Sequence, residues 1–588
     1  MSPAALDLTI PAESDQPLRF AADELQRYLA LMTGRSAVVR VAPAPANTLV
    51  IGNARSSVPA LGEGTDSFAI VPSSDGELVQ GGSGRAVLHG VYALLAQLGC
   101  RWSLHGRAHE QVPRLTALPP ITPQQVTPRF NVRGYSADIM TWHYGDRAQL
   151  AEHLTADHEF VDWMGKSAAN AFLFIRHPFD TQLTIPELLA DFARRGIDLE
   201  YGGHVIPLLL PREQFGQHPE YFPQSVEGAR SEFGNLCTAS RTAMRIATEN
   251  AVHYVREYPE LHVLHIWGAD LWAGGWCHCG ECRSATAQDQ SLRLCNAVAE
   301  ALAAQGMARS VCYIAYHDTL EPNLTGRPAP NVVVEYAPRE RCYGHALDDG
   351  TCRTNRRYRE ALERYVELFD GRVRIFEYYA DAILFCGCAV PLGEVIAGDL
   401  DFYHRLGIRE ITNLQFGSFS LWAYPLNFLA YAAATQAPCA DVSAIRHRYA
   451  GEFGTHADLV AQTFADLEAV MREIVTYGDI RRPPKPPEQA QQLRPRVERA
   501  LERLAPLVDR LAPASSDAVI SALQALLRYN RAMLTGVRSE LGAAADAAAH
   551  YDDALAIMRT VDRRFTGLWG AVNLPVIHAY HSSGLFSS

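Results

Sequence analysis

The stretch "LHVLHIWGAD" (residues 261–270) is a largely apolar run that ends on an acid. Runs rich in Val, Leu and Ile are typical of parallel strands that are buried on both faces. Seven further runs of this kind occur along the chain, and most are separated by a stretch of helical periodicity. They are "FNVRGYSADIM" (130–140), "ANAFLFIR" (169–176), "GHVIPLLLP" (203–211), "SVCYIAYHD" (310–318), "NVVVEYAP" (331–338), "RVRIFEYYAD" (372–381) and "EITNLQFGS" (410–418). Eight such runs predict a closed (β/α)8 barrel, also called a TIM barrel.

The segments on either side of the predicted barrel have different patterns. Residues 1–120 combine strand-like runs with two helical stretches, which predicts a small α/β domain. A Pro-rich polar stretch at 118–128 predicts a linker, and we expect the barrel over 129–430. From 431 to 588, Ala, Leu, Arg and Glu recur at helical spacing and predict an α-helical domain. The expected fold class is α/β, with the barrel between an α/β domain and a helical one.

Length and charge narrow the choice of partners and location. The 588 residues carry a net charge of −12 and no dense basic run, so we expect no nucleic-acid partner. No uninterrupted apolar stretch reaches about 18 residues, so we expect no membrane span. The N-terminus has no basic region followed by an apolar one, which favours a cytoplasmic protein. The turn "GGSGRA" (81–86) fits no phosphate-binding spacing, so we expect no organic cofactor, while a homo-oligomer stays open.

The ends of the predicted strands carry the polar residues that a sugar site needs. Active sites of (β/α)8 barrels lie at the carboxyl ends of the strands. Sugars stack their apolar ring faces on aromatic side chains and use their hydroxyl groups as hydrogen-bond partners. The residues of this kind at the predicted strand ends, and in the loop after the fourth strand, are Arg133, His204, Trp267, Trp272, Glu335, Tyr378, Tyr379 and Gln415. They predict a binding site for a small carbohydrate substrate.

Two carboxylates on opposite sides of this mouth predict glycoside hydrolysis. Asp270 ends the fourth predicted strand and Glu377 lies on the seventh, and the reaction needs one acid and one base or nucleophile. Glu335 is the reserve candidate. A non-catalytic carbohydrate-binding or assembly protein is the alternative from another class. A metal-dependent hydrolase is disfavoured, because no His-x-His follows the first strand.

Three cysteines follow the fourth predicted strand in a glycine-flanked loop. Cys277, Cys279 and Cys282 form a C-x-C-x-x-C cluster, and three thiolates this close can face one ion. Structural zinc prefers four ligands, so we expect Cys237 of "FGNLCTAS" as the fourth, with His278 as the alternative. A set of free thiols or a redox pair is the competing interpretation. Four protein ligands leave no open position, so zinc here would support the loop rather than do chemistry.

The order of these motifs resembles an uncharacterised bacterial glycoside hydrolase-like family that is related to α-glucuronidases and β-hexosaminidases. The similar segments are "GGSGRAVLHGVYALLAQLGCRW" (81–102), "HPEYF" (218–222), "NLCTAS" (235–240), "GADLWAGGWCHCGEC" (268–282), "RCYGHAL" (341–347) and "FEYY" (376–379). The C-x-C-x-x-C after an Asp-bearing strand is a specific feature. The resemblance covers about residues 1–420.

This resemblance implies an exo-acting glycoside hydrolase for a uronic acid or an amino sugar. The residues that it places at the pocket are Asp270, Arg341, His345 and Glu377. Where β-hexosaminidases have an Asp-Glu pair after the fourth strand, this chain has Ala269 and Asp270, which argues against substrate-assisted cleavage. Recognition of a uronic acid would use arginine side chains as carboxylate clamps. The candidates for that role are Arg133, Arg176 and Arg341.

Overall fold

The chain runs from a mixed sheet through a parallel barrel to a set of helices. The structure is a computed structural model, and it describes residues 6–44, 46–52, 61–73, 76–137, 147–175, 186–271, 274–416, 423–480, 485–514, 518–542 and 544–562. The α/β class expected from the sequence is confirmed, because a closed barrel of parallel strands lies at the centre of the chain.

A six-stranded sheet and two helices form the N-terminal part. The strands are β1 (Leu6–Ile10), β2 (Ala37–Val41), β3 (Thr48–Gly52), β4 (Phe68–Ser73), β5 (Gly76–Gly81) and β6 (Gln124–Val126), and the helices are α1 (Gln16–Thr33) and α2 (Gly84–Gln97). The sheet order is β2-β1-β3-β5-β4-β6. β6 lies within the segment expected as a linker and pairs with β4. Asp15 caps α1 by accepting a hydrogen bond from the Leu18 amide, and Gly34 ends the helix in the left-handed region.

Eight parallel strands close the barrel. They are β7 (Val132–Ala137), β8 (Ala171–Ile175), β9 (Asp198–Gly203), β10 (Leu261–Ile266), β11 (Ser310–Ala315), β12 (Val332–Tyr336), β13 (Val373–Asp381) and β14 (Glu410–Phe416). β14 pairs with β7 to complete the ring. The helices between them are α3 (Arg147–Lys166), α4 (Pro186–Arg195), α5 (Ile206–Leu209), α6 (Arg241–Glu257), α7 (Ala287–Ala304), α8 (Arg353–Leu368) and α9 (Gly393–Arg405). The predicted (β/α)8 barrel is confirmed, and a short 3-10 turn, His317–Thr319, connects β11 towards β12.

The third barrel strand lies earlier than the sequence pattern predicts. The run "GHVIPLLLP" (203–211) contains the short helix α5, and the strand is β9, with the sequence DLEYGG. Pro207 lacks the backbone donor that a central strand needs, and it suits the first turn of a helix. An apolar-pattern search misses β9 because Glu200 at its centre is charged and yet buried.

Two glycines end β9 where it approaches β10 closely. Gly202 and Gly203 have φ angles of 137° and 111°. A Cβ atom on Gly202 would lie 2.1 Å from the carbonyl oxygen of His265. This position therefore requires glycine, and the next residue, His204, leaves the strand at the carboxyl-terminal end of the barrel.

A buried charged network fills the barrel interior below its mouth. His265 contacts Glu335 through Nδ1 at 3.0 Å and Glu200 through Nε2 at 2.9 Å. Arg374 donates to both oxygens of Glu200, at 2.9 and 2.8 Å. Burial alone would lower the pKa of His265, but the charge of Glu335 raises that pKa well above its usual value. Two cations and two carboxylates therefore balance each other inside the barrel.

The amino-terminal end of the barrel is covered by the N-terminal part. Arg133 of β7 donates to the Asp66 carboxylate at 2.5 Å, and Asn170 donates to the same oxygen at 2.8 Å. Arg85 of α2 reaches both Asp66 and Asp198 at 2.9 Å. These contacts leave the side chains of Arg133 and Asp66 only 1 % and 6 % exposed. The charges of Arg133 and Asp66 are thus paired and removed from solvent, whereas Asp198 stays partly exposed.

Six described helices follow the barrel. They are α10 (Pro425–Gln436), α11 (Val442–Ala450), α12 (Ala457–Met471), α13 (Pro487–Leu511), α14 (Ala518–Leu541) and α15 (Ala547–Asp562). α10 spans residue 430, the expected domain boundary, and packs against α9. One hydrophobic core extends from the barrel into these helices, while the N-terminal sheet has a core of its own. Among the described helices, none has the length and the apolar character that crossing a membrane requires.

Candidate functional site

Three side chains meet at the carboxyl ends of the neighbouring strands β10, β11 and β12. Asp270 follows β10, His317 follows β11 and Glu340 follows β12. His317 lies between the two acids, with Nδ1 2.9 Å from Glu340 Oε1 and Nε2 3.8 Å from Asp270 Oδ1. The side chain of Asp270 is 51 % exposed and that of Glu340 is 23 % exposed. Two carboxylates on either side of one imidazole thus lie at the edge where barrel enzymes bind their substrates.

The position of Asp270 is fixed from a neighbouring segment. The buried amide of Asn235 accepts a hydrogen bond from the Ala269 N–H at 2.8 Å and donates to the carbonyl oxygen of Gly274. These two contacts lie on either side of Asp270 in the sequence. Asn235 comes two residues before Cys237, so the same segment supplies a loop support and a thiol.

His317 has an unusual backbone conformation. Its φ of 49° lies in the left-handed region, which costs a residue with a side chain on the order of 1–2 kcal/mol. Thr319 stabilises the turn, because its hydroxyl donates to the Ile314 carbonyl oxygen at 2.9 Å and accepts from the Tyr316 N–H at 3.0 Å. The Tyr316 ring packs on the imidazole with ring centroids 3.7 Å apart. Backbone strain held in place by surrounding contacts is frequent at functional sites.

A second ion pair lines the rim of the mouth. Arg339 donates through Nε to Asp381, at the end of β13, over 3.1 Å, and lies 5.7 Å from the ring centroid of Tyr378. Burial alone would lower the pKa of Arg339, but the charge of Asp381 raises that pKa well above its usual value. Burial and the charge of Asp270 raise the pKa of Tyr316 well above its usual value. The rim therefore combines protonated phenols with an arginine that has its own carboxylate partner.

Trp267 closes the barrel interior beneath this site. Its indole N–H donates to Glu335 at 3.1 Å, and its ring meets His204 and Phe376 edge-on, with centroids 5.3 Å apart in each pair. Nδ1 of His204 bonds to the carbonyl oxygen of Gly268, which makes Nε2 the acceptor of the ring. Trp267 is thus a buried floor residue and His204 a partly exposed wall residue, and contact of either with a ligand stays a prediction.

Glu335, the reserve catalytic candidate, is fully buried below the mouth. Its carboxylate contacts His265 at 3.0 Å, Trp267 at 3.1 Å and Arg374 at 3.5 Å. These partners belong to the interior network, so the carboxylate is already paired and out of reach of solvent. These contacts do not support an encounter of Glu335 with substrate, which stays a prediction.

Glu377 points away from the mouth. Arg374 reaches into the barrel, and residues an odd number of positions apart on a strand face opposite sides. The Glu377 carboxylate accordingly contacts Tyr403 of α9 at 2.5 Å and Arg341 at 3.2 Å. Burial raises the pKa of Glu377 to about 7, while Arg341 opposes this shift and Asp399 adds to it. A carboxylate enclosed between a strand and a helix is poorly placed to meet a sugar, so these contacts do not support the catalytic role of Glu377, which stays a prediction.

Two other expected pocket residues, Arg341 and Tyr379, are buried as well, and a third, His345, is partly exposed. Arg341 is fully buried and bonds to Asp399, and the Tyr379 hydroxyl donates to the same carboxylate at 2.9 Å. His345 lies 3.3 Å from the thiol of Cys342 through Nδ1. These partners do not support the predicted contact of Arg341 and Tyr379 with substrate, while that of the partly exposed His345 stays a prediction. Tyr378 lies beside Arg339 and is 5 % exposed, and its contact with substrate also stays a prediction.

Of the remaining expected residues, one lies at the amino-terminal end of the barrel, and the others lie, wholly or in their side chain, outside the residues that the structure describes. Arg133 lies at the amino-terminal end, where it pairs with Asp66. This position does not support its role as a carboxylate clamp, which stays a prediction. Trp272 and Arg176 lie outside the described residues, as does the side chain of Gln415.

Four cysteines form a tight cluster beside the loop that follows β10. The Sγ atoms of Cys237, Cys277, Cys279 and Cys282 lie within 4.8 Å of one another. Cys237 Sγ is 3.7 Å from Cys279 Sγ and 3.9 Å from Cys282 Sγ. Sulfurs that each lie about 2.3 Å from one tetrahedral ion are roughly 3.8 Å apart, so the spacing fits a metal site. Cys237 belongs to this group and the exposed His278 does not.

Sequence reasoning missed Glu340 and Arg339. Both lie in "YAPRERC" (336–342), directly after the sixth barrel strand. Charged residues of alternating sign in a loop usually pair with each other at the surface, so the segment does not stand out. The available signal was the position of Glu340 and Arg339 directly after a predicted barrel strand, because the residues after such a strand line the mouth.

This geometry can now be compared with that of known proteins. A family model described as a domain of unknown function, DUF4838, matches residues 122–447, which contain all eight barrel strands. The chain belongs to the DUF4838 family. No curated protein sequence matches it significantly.

Three solved structures share the fold of this DUF4838 protein at low sequence identity. BtGH115A, a family GH115 4-O-methyl-α-glucuronidase with specificity for decorated arabinogalactans, is 13 % identical, with a TM-score of 0.65 over 98 % of this chain and 79 % of its own. A GH138 enzyme targeting pectin rhamnogalacturonan II is 10 % identical, with a TM-score of 0.55 over 96 % and 73 %. CpGH89 from Clostridium perfringens, in complex with its substrate GlcNAc-α-1,4-galactose, is 10 % identical, with a TM-score of 0.51 over 93 % and 66 %. It is the fold alone that the DUF4838 chain shares with them.

Proposed function

We propose that this protein is a glycoside hydrolase that cleaves a small glycoside or oligosaccharide at the carboxyl-terminal mouth of its barrel. The observation that carries the proposal is the position of His317 between Asp270 and Glu340. Contacts of 3.8 and 2.9 Å across one imidazole ring keep the two carboxylates within the roughly 9.5 Å found in inverting glycosidases. Paired carboxylates at such a distance are what glycoside hydrolysis requires.

The different exposure of the two acids indicates which catalytic role each of them has. Asp270 is the more exposed, so a leaving-group oxygen can approach it, and we assign it the role of proton donor. Glu340 is held by His317 and less exposed, and we assign it the role of the base that activates water, or of the nucleophile. His317 contacts both acids and is a positioning residue in this scheme.

Side chains around the two acids offer a surface for a sugar ring. Tyr316 is partly exposed beside His317, and an aromatic face stacks on the apolar face of a pyranose. His204 presents Nε2 as an acceptor for a sugar hydroxyl. Arg339, paired with Asp381, is the arginine of the described rim that could contact a uronate. Arg133 and Arg341 do not support that option, because both hold buried carboxylates.

The proteins of similar fold indicate which sugars to test first. One is a 4-O-methyl-α-glucuronidase, one targets pectin rhamnogalacturonan II and one is in complex with GlcNAc-α-1,4-galactose. Together with the sequence resemblance, they support an exo-acting enzyme for a uronic acid or an amino sugar. The proposal therefore extends to these two substrate classes.

We also propose that the four-cysteine cluster holds a structural zinc ion. Four thiols are the donor set of such sites, and their spacing fits tetrahedral coordination. A site with four thiolate ligands has no open position for water or substrate. Its role would be to hold the loop of Asp270, because Cys237 shares its segment with Asn235, which bonds to both sides of that loop.

A screen of chromogenic glycosides and uronides tests the proposed activity. The substrates are para-nitrophenyl α- and β-glycosides of glucuronic acid, galacturonic acid, N-acetylglucosamine and neutral hexoses. At least one should be turned over, and kcat should fall by roughly 10²- to 10⁴-fold in Asp270→Asn and in Glu340→Gln. Glu281→Gln, at an exposed acid of the same loop, is the matched control and should keep the wild-type rate.

Two outcomes would contradict the assignment. Equal turnover by the wild type and both acid variants would exclude Asp270 and Glu340 as the catalytic pair. Sugar binding in calorimetry without turnover of any glycoside would favour the carbohydrate-binding alternative. Melting temperatures close to that of the wild type would show that a lost activity does not reflect unfolding.

A further inference from the structure

A second group of metal-binding side chains lies outside the site described so far. Cys342, His345 and Cys352 each bring one donor atom to within 4.8 Å of the others. Cys342 Sγ lies 3.3 Å from Nδ1 of His345. Both cysteines are free thiols, and they are only 5 % and 7 % exposed. His345 is partly exposed. Two sulfurs and an imidazole nitrogen that converge in this way are a donor set that zinc uses.

We propose that Cys342, His345 and Cys352 form a second zinc site, which does not depend on the proposed sugar chemistry. The first two ligands lie in one turn after β12, and the third directly precedes α8. Zinc takes four ligands, so three protein donors leave one position for a water molecule or another oxygen. Because the ligand form of cysteine is the thiolate, binding releases the two thiol protons to solvent.

The loop around the first two ligands is shaped by contacts of its own. The buried amide of Asn355 accepts from the Cys342 N–H at 2.9 Å and donates to the carbonyl oxygens of Cys342 and His345 at 3.0 and 3.1 Å. The Thr476 hydroxyl donates to Cys342 Sγ at 3.3 Å. Such surrounding hydrogen bonds hold metal ligands in position and reduce the ordering that binding must impose.

The site would join two distant parts of the chain. Cys342 pairs with Thr476 in a short antiparallel bridge, and the Tyr343 N–H donates to the Val475 carbonyl oxygen at 3.0 Å. A zinc ion at Cys342 would stabilise the loop that carries Glu340 against the residues that follow α12. The two cysteine clusters would then serve different loops of the same mouth.

A third convergent group, inside the barrel, does not carry the same proposal. His265, Cys312 and Glu335 also bring donor atoms together. Both nitrogens of His265 are occupied by carboxylates, and Arg374 is 3.5 Å from Glu335. The charges of this group are already balanced, so a cation would have to displace an existing ion pair.

The zinc content of the native protein tests the second site. Protein from zinc-supplemented cells, purified without a chelating column, should carry about two zinc ions per chain, one for each cluster. His345→Ala should lose about one ion, and Cys279→Ser should lose the ion of the other cluster. Cys439→Ser changes an exposed cysteine outside both clusters and should keep the wild-type content. Wild-type zinc content in His345→Ala would overturn the proposal.

A ligand-preserving variant separates metal binding from folding. His345→Cys supplies a thiolate in place of the imidazole and should recover the ion that His345→Ala loses. Cobalt added to Cys279→Ser should give a tetrahedral spectrum with thiolate charge-transfer bands, because the second site is intact in that variant. An octahedral cobalt spectrum without those bands would contradict the proposed ligands.

The wild-type chain gives a further answer that needs no variant. After zinc is chelated, peptide mapping under non-reducing conditions should recover Cys342 and Cys352 as thiols. A Cys342–Cys352 disulfide in freshly isolated protein would overturn the proposal. Zinc-edge X-ray absorption should show a nitrogen ligand beside the sulfurs, and sulfur ligands alone would overturn it as well.

Discussion

The two ends of the barrel both carry charged residues, but they hold them in opposite ways. At the amino-terminal end, Asp66 accepts from Arg133 and Asn170 and is almost fully buried. At the carboxyl-terminal end, Asp270 keeps half of its side chain exposed and lies 3.8 Å from His317. A buried charge with several partners belongs to the structure, whereas an acid that is half exposed can meet a ligand. Burial and pairing, rather than residue type, therefore separate the two kinds of charge.

The largest expected effect is on the rate, at the mouth. Asp270→Asn should lower kcat by roughly 10²- to 10⁴-fold, because it removes the proton donor of the proposed reaction. It should leave the free energy of unfolding close to that of the wild type, since the side chain is half exposed. Steady-state kinetics and urea unfolding measure the two effects. A large loss of stability in this variant would contradict the distinction between the exposed acid at the mouth and the buried charges at the closed end.

The second expected effect is on stability, at the closed end. Asp66→Ala should lower the free energy of unfolding by about 3–5 kcal/mol, because it leaves Arg133 buried without its carboxylate. The rate per folded molecule should not change. Asp66→Asn retains one hydrogen-bonding oxygen and should cost less. Glu249→Gln, in an exposed helical ion pair with Arg245, is the control and should stay within about 0.5 kcal/mol.

The third expected effect is a pH dependence that originates in the barrel interior. Burial alone would raise the pKa of Glu200, but the charge of Arg374 lowers it to about 2. The stabilisation is therefore fully present above the usual pKa of 4.5 and is lost as the pH falls through about 2. Its size is roughly 3 kcal/mol.

Unfolding experiments between these pH values test the contribution of Glu200. The difference in unfolding free energy between the wild type and Glu200→Gln should shrink as the pH is lowered from about 4.5 to about 2. A difference that stays constant over this interval would show that the interior network does not depend on the charge of Glu200.

The smallest expected effects distinguish a tyrosine that contributes to stability, Tyr403, from one that contributes to activity, Tyr316. Tyr403→Phe removes the hydroxyl that donates to Glu377 and should cost about 1–2 kcal/mol of stability without changing kcat. Tyr316→Phe, at the rim, should do the reverse and change KM or kcat while stability stays near the wild type. Loss of activity in Tyr403→Phe with an unchanged melting temperature would return Glu377 to the list of catalytic candidates.

The barrel could be predicted because most of its strands are rich in Val, Ile, Leu and aromatic residues, even where a polar residue interrupts the run. β9 could not, since its buried Glu200 and its two terminal glycines break the pattern that defines a strand. The position of a residue within its run was equally hard to predict. Arg133 lies near the start of β7, so it faces the closed end of the barrel and not the mouth.

The site was harder to predict than the fold, for a physical reason. Every residue of β13 is buried. Because both faces of the strand are buried, its sequence does not alternate between apolar and polar residues and does not show which side chains face inward. Glu377 could therefore be placed on the strand but not on the correct face. The position of Asp270 was predictable because it follows a strand, and the convergence of Cys277, Cys279 and Cys282 because their spacing is a local property. Glu340 depends on a contact between two separate loops, which sequence spacing does not encode.

The hydrophobic core shared by the barrel and the helices after it has a practical meaning for recombinant work. The family match ends at residue 447, inside α11. A gene fragment that stopped there would lack Tyr529 and Asn530, whose side chains satisfy the backbone of Cys386 and Ala389. We expect such a fragment to aggregate on expression, so the shortest useful clone should extend through α15.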